Sequence, residues 1–301
     1  PDQSSAASDV YKRQPIIHNE PALAQNRVEY IGQPIAVVIA KDHNTAQKAA
    51  KLVNIEILDD EEPIFDLKIA MKRNSLVMPK MLLKKGDALK KINNSEYVIE
   101  DEITIGGQDH FYLEGQISLV IPDEDNKFTV WSSTQHPTEV QHCVANVLGI
   151  SQAKVTSKVR RLGGGFGGKE SQASIIASIT ALCSWYFGKP AKLRLTRHDD
   201  MLATGKRHDF LSLYKVGFNS NGRIQGLEVN LLSRAGNVAD LSGPVMTRAM
   251  THIDNCYSLK NVTINGYFCK TNTVSNTAFR GFGGPQGIIT CLLYTSDAAD
   301  D

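Results

Sequence analysis

The chain has 301 residues, 42% hydrophobic and 22% charged, with a formal net charge of +1. The near-neutral balance excludes a broad electrostatic footprint for nucleic acid, and no run approaches the ~18 consecutive apolar residues of a membrane span. The five cysteines (Cys143, Cys183, Cys256, Cys269, Cys291) have no CxxC spacing, so they read as small core residues in a reducing, cytoplasmic setting.

At the amino terminus, Ser4–Gln14 reads SSAASDVYKRQ, and at the other end Cys291–Asp301 reads CLLYTSDAADD. The two can be encoded by opposite strands of one DNA, which is the mark of a sequencing-library adapter. Ser4–Gln14 also lacks the apolar run of a signal peptide. Residues 1–14 and 291–301 are therefore expected to be non-native tails, with the natural segment at residues 15–290.

Gly32-Gln33-Pro34 predicts a turn into a buried strand over Ile35–Ala40. Asn44 is expected to cap a helix carrying Ala46, Ala49, Ala50 and Val53, and Val53–Ile57 to form a further strand. A lysine-rich passage, Lys72–Asn94, places a domain boundary near Asn74. Beyond it, strands are expected at Tyr97–Ile105 and Gln116–Ile121, around GGQDHFYLEGQ. Pro137 opens a helix with Val140, Cys143, Val144, Val147 and Leu148 on one face, closed by Gly149. Lys154–Leu162 reads as a strand, and Ala173–Phe187 as a helix buried all round. Asn221-Gly222 signals a hairpin between Leu211–Phe218 and Arg223–Leu231. Mixed strands and helices give an α+β fold.

The passage RLGGGFGGKE, Arg161–Glu170, is the most unusual. Gly163, Gly168 and Lys169 match the phosphate-binding pattern GxxxxGK, but Glu170 stands where Ser or Thr would hold magnesium. Gly163, Gly165 and Gly168 match GxGxxG without the later acidic residue of a dinucleotide site. Five glycines around Phe166 equally suit a tight turn, or backbone packed against a flat or electron-rich ligand. A second cluster, NTAFRGFGGPQG, offers Arg280 to a planar acceptor and Phe282 to a planar ring. His110, Tyr112 and Glu114 of HFYLE, together with Asp199, Asp200 and His208, read as structural polar groups, the last three in loops and at strand edges.

RLGGGFGGKE, NTAFRGFGGPQG, GGQDHFYLEGQ and STQHPTEVQHCVANVLGI together resemble the molybdenum hydroxylases, a family that includes aldehyde oxidases. The resemblance implies the end of an α/β hammerhead domain over residues 15–74 and the first part of a molybdopterin-binding domain over 75–290. It implies a molybdenum–molybdopterin cofactor whose metal is held by pterin dithiolene sulfurs, with FAD and [2Fe-2S] centres on other domains or subunits of an oligomer. The implied chemistry is hydroxylation of an electron-poor carbon with oxygen from water, the electrons passing to NAD. By motif, Gln135, Phe166, Gly167 and Arg280 correspond to cofactor contacts, with Gln135, Phe166 and Arg280 near the metal. Glu170, Arg248 and Phe282 correspond to substrate contacts. The family's general-base glutamate is expected beyond Thr290, which leaves no catalytic residue in this chain. Glu170 and Arg248 point to a purine substrate, with an aldehyde or another N-heterocycle as the alternative. A nucleotide-binding module using Gly163–Gly168 is the alternative of another class.

Overall fold

The computed structural model describes residues 20–24 and 26–300, so the tail Ser4–Gln14 lies outside the described residues. In chain order the elements are α1 (His43–Ala50), α2 (Leu67–Lys72), β1 (Met81–Lys85), α3 (Ala88–Asn93), β2 (Tyr97–Ile105), β3 (Ile117–Asp123) and β4 (Lys127–Ser132). They continue with α4 (Pro137–Leu148), β5 (Val155–Lys158), α5 (Gln172–Phe187), β6 (Ala191–Arg194), α6 (Arg197–Ala203) and β7 (Phe210–Phe218). The last four are β8 (Ile224–Gly236), α7 (Ser242–Met250), β9 (Val262–Lys270) and α8 (Gly284–Asp300). Two compact units result. Among the described residues, the first takes in those up to Pro63 with Phe111–Gly205 and Asn272–Val274, and the second Ile64–His110, Lys206–Thr271 and those from Ser275 on.

The first unit holds a four-stranded sheet in the order β5-β4-β3-β6, with β4 and β5 parallel and the other pairs antiparallel. Strand alternation turns Val120, Phe128, Val130 and Val155 to one face. Val140 and Val144 of α4 and Ala177 and Ala181 of α5 cover that face. Helix α4 starts at Pro137 and ends at Gly149 in the left-handed region (φ 63°), as its spacing predicts. The strand expected at Gln116–Ile121 is β3, Ile117–Asp123, whereas other expectations need correction. Helix α5 is buried along its first three turns, but Trp185, Tyr186 and Phe187 at its end are exposed. The strand read over Lys154–Leu162 is only the four residues of β5. Ile35–Ala40 and Val53–Ile57 form no strand, and Ile39, Val53, Ile55 and Ile57 are exposed. β-branched runs become strands only against a partner ladder, and none of the described residues supplies one. Helix α1 between them buries no residue and is capped by Asp42, whose carboxylate accepts from Thr45 N at 2.9 Å.

The second unit is built on a five-stranded sheet in the order β1-β9-β8-β7-β2. All pairs are antiparallel except β8 and β9, which α7 connects. The β7–β8 hairpin forms where Asn221-Gly222 predicts it, with Gly222 N donating to Asn219 O at 2.8 Å. Period-two alternation separates Leu231 and Phe268, packed with Met246, Met250, Cys291 and Tyr294, from Leu232 and Cys269, packed with Leu67 and Ala70. The lysine-rich passage supplies β1 and α3. Its lysines face solvent while Ala88 and Ile92, one helical turn apart, are buried. Helix α8 continues through the stretch read as a tail, and Tyr294 donates to Ile253 O at 2.6 Å.

Candidate functional site

In the first unit, β5 leads into the glycine passage and α5 follows it. Gln135, just beyond β4, clamps the passage. Its N–H donates to Lys169 O at 2.8 Å, while its Oε1 accepts from Gly167 N at 2.9 Å and from Lys169 N at 3.3 Å. With Oε1 engaged, the Gln135 Nε2 amide has no partner among the described residues, and the side chain lies at the surface. The N–H groups of Gly164, Gly165 and Phe166 are likewise without hydrogen-bond partners among the described residues. Phe166 adopts φ 53° and is about half exposed. A left-handed phenylalanine costs on the order of 1–2 kcal/mol. The Gln135 clamp holds it there. Glu170 closes the passage half-buried, its carboxyl making no hydrogen bond or ion pair among the described residues. Burial raises its pKa, and nearby His136 opposes the shift.

Lys169 is turned inward, and its side chain is fully buried. Its Nζ donates to Glu114 O at 2.6 Å and to Ser133 Oγ at 2.8 Å, and it sits 4.5 Å from the centre of the Tyr112 ring. A phosphate-loop lysine must face its ligand, so this placement removes the nucleotide-binding reading of GxxxxGK. Beneath it, Tyr112 donates to Asp200 Oδ1 at 2.6 Å, and Gln116 N to Asp200 Oδ2 at 2.7 Å. Asp200 is thus a buried residue of α6, not the loop group its sequence context suggests. Tyr112 and Glu114 belong to the first unit and His110 to the second, where its Nε2 lies 2.6 Å from Ala278 O.

The second unit carries the other motif. Phe282 repeats the left-handed geometry (φ 48°) between Gly281 and Gly283, and packs against the main core. The loop lies against α7, because a Cβ on Gly283 would overlap the Val245 carbonyl oxygen. Arg248, on α7, is exposed, and its guanidinium has no hydrogen bond or ion pair among the described residues. Its carbonyl oxygen lies 2.7 Å from His252 Nδ1. The Arg280 side chain is also exposed and unpaired among the described residues. Arg207 went unnoticed in the sequence. It stacks 3.9 Å above the Phe279 ring and donates to Arg280 O at 2.8 Å, fixing the loop from below. Next to it, His208 is wholly buried rather than at a strand edge, 2.8 Å from Ser242 Oγ, and burial lowers its pKa to about 3. The structure therefore brings Gln135, Phe166, Gly167 and Glu170 together in one unit, and Arg248, Arg280 and Phe282 together in the other.

The model of the molybdopterin cofactor-binding domain matches residues 71–300. The chain belongs to that family. The a/b hammerhead domain of aldehyde oxidase and xanthine dehydrogenase matches residues 3–60. Over 94% of its length the chain is 42% identical to a xanthine dehydrogenase/oxidase of Gallus gallus, and over 92% it is 43% identical to a xanthine dehydrogenase of Dictyostelium discoideum. It spans about a fifth of the length of these relatives (21% and 20%). Among solved structures, the aldehyde oxidoreductase of Desulfovibrio gigas superposes with a TM-score of 0.85 at 21% identity, covering 96% of this chain and 33% of that one. Quinoline 2-oxidoreductase of Pseudomonas putida 86 gives 0.84 at 20% identity, covering 93% and 37%. These likenesses establish the fold as that of the molybdopterin-binding domain. No helix among the described residues is long and apolar enough to cross a membrane.

The residues present suit a molybdopterin cofactor. In the first unit, three successive unpartnered N–H groups at 164–166 and a free Gln135 amide donor suit electron-rich oxygen or sulfur, and in the second unit the unpaired Arg280 guanidinium offers donors of the same kind. Glycines leave the backbone bare where a flat group must approach.

Proposed function

We propose that this chain is the part of a molybdenum hydroxylase that binds the cofactor and one side of a purine. The hammerhead reading covers residues 15–74 and the molybdopterin-binding reading 75–290, with residues 1–14 and 291–301 as non-native tails. The observation that carries the proposal is the Gln135 clamp, which spends Oε1 on Gly167 and leaves Nε2 to donate above a glycine floor. Gln135, Phe166, Gly167 and Arg280 would hold the molybdenum cofactor, which supplies two-electron oxidation of a carbon with oxygen from water.

The purine assignment rests on Glu170 and Arg248. A half-buried carboxyl without a partner favours a ligand that offers ring N–H groups. A free guanidinium favours a carbonyl oxygen on which negative charge grows during oxidation. A hydrophobic aldehyde would offer neither group a partner, at about 1–3 kcal/mol for the half-buried Glu170 carboxyl. Phe282 would supply a stacking face. The overall balance is purine C–H plus water giving the hydroxylated purine, two protons and two electrons, which leave through [2Fe-2S] and FAD modules to NAD in a cytoplasmic oligomer. On this reading the general base would be a glutamate beyond Thr290. Turnover of xanthine by the complete protein in heavy-oxygen water tests the reading. Label recovered in urate supports it, and unlabelled or absent urate refutes it.

A further inference from the structure

The motif reading leaves Lys169 without a task, yet it is the most fully enclosed charge of the glycine passage. Its Nζ meets three acceptors: Glu114 O at 2.6 Å, Ser133 Oγ at 2.8 Å and Glu114 Oε2 at 3.4 Å. The Ser133 hydroxyl spends its proton on Glu114 Oε2 at 2.7 Å, so it can only accept from the lysine. Three acceptors and no donor around Nζ identify the ammonium form. Glu114 Oε2 also accepts from Gly163 N at 2.9 Å. One carboxylate therefore grips the first glycine of the passage, while the ammonium bonded to it belongs to the residue after the last. Burial alone would raise the Glu114 pKa, but Ser133, Gly163 N–H and Lys169 outweigh it and hold the carboxyl below its ordinary value.

We infer that Lys169, acting through Glu114 and Ser133, is the positioning residue that closes Gly163–Gly168 into the shape presented to the cofactor. The ammonium draws the ends of the passage onto the 112–116 and 133–135 segments. Gln135 then adds the second fastening, through Gly167 N and Lys169 O. An ordinary salt bridge at the surface would contribute little. Here the lysine is fully buried, so its loss takes a donor from the Glu114 carbonyl and the Ser133 oxygen and the counter-charge from the Glu114 carboxylate, all at one place. The inference rests on the cofactor reading for its functional consequence only.

The experiment compares the full-length protein with its Lys169→Met and Glu114→Gln variants, using amide hydrogen exchange of the cofactor-free form and molybdenum content of the purified form. In Lys169→Met, exchange of the bonded amides of 163–170 (Gly163, Gly167, Gly168 and Glu170) is expected to rise at least tenfold, while the β7 segment 210–218 is unchanged. A purely structural role would raise both together. Glu114→Gln keeps an acceptor but loses the charge and is expected to give a smaller rise, of about threefold. It stands in for Lys169→Met if that variant does not fold. Unchanged exchange over 163–170 in both variants, or an equal rise over 210–218, overturns the inference. A wild-type protein that binds no molybdenum instead refutes the cofactor reading and leaves the exchange result standing. Wild-type protein that binds the metal, with content lowered at least tenfold in Lys169→Met, supports both.

Discussion

The Oε1 of Gln135 accepts from the N–H of Gly167 at 2.9 Å, although 32 positions separate the two residues. This bond fixes the tip of the glycine passage and sets which end of the Gln135 amide remains free.

Replacing Gly165 by alanine attacks that bond directly, because a Cβ there would overlap Gln135 Oε1. The obstruction is a side chain that can move, but swinging Gln135 away gives up its bonds to Gly167 and Lys169, at a cost of about 1–2 kcal/mol. Gly283→Ala differs in kind. Its Cβ would strike the Val245 backbone carbonyl, and the residue sits at φ 90°. It is expected to cost about 3 kcal/mol or more. Urea unfolding of the two variants checks the contrast, and equal losses would contradict this account of the two loops.

Substrate choice is read by Glu170→Val and Arg248→Met in the complete protein. Each lost polar contact is worth roughly 10- to 100-fold. Xanthine turnover should fall by at least that much in either variant, while turnover of a hydrophobic aldehyde should change by less than about fivefold. Equal losses on both substrates would remove the purine assignment.

His208 makes a prediction for acid stability. Burial lowers its folded pKa to about 3 from an ordinary value of 6.5. The unfolded chain therefore takes up a proton that the folded chain refuses as pH falls from about 6.5 towards 3. Stability is lost over that window at about 1.4 kcal/mol per pH unit. His208→Gln should show an acid limb shallower by one proton in urea titrations at pH 7 and pH 4.5. An unchanged slope would mean that His208 is protonated in the folded protein.

Where local signals suffice, the sequence carries the fold. Pro137 and Gly149 bound α4, Asn221-Gly222 sets the β7–β8 hairpin, and Tyr97–Ile105 forms β2 over its full predicted span. Ile35–Ala40 has the composition of a strand but meets no ladder among the described residues, and composition cannot supply one. The hidden α3 escaped because two lysines, Lys90 and Lys91, mask the Ala88–Ile92 spacing.

At the site, the motifs located Gln135, Phe166, Gly167 and Glu170 within one structural neighbourhood. The groups beneath them were illegible. Glu114 and Lys169 lie 55 positions apart, and nothing in the local pattern says that a lysine after five glycines turns inward. Asp200 and Arg207 were missed for the same reason. Their partners, Tyr112 and Phe279, are distant in sequence and meet them only through the fold.

The most direct measurement is molybdenum and pterin content of the complete protein beside its Gln135→Ala variant. A metal-to-chain ratio near unity in the parent, falling at least tenfold in Gln135→Ala with the melting temperature little changed, is the result expected from a glycine passage clamped to receive the cofactor. Full metal retention in Gln135→Ala would contradict it.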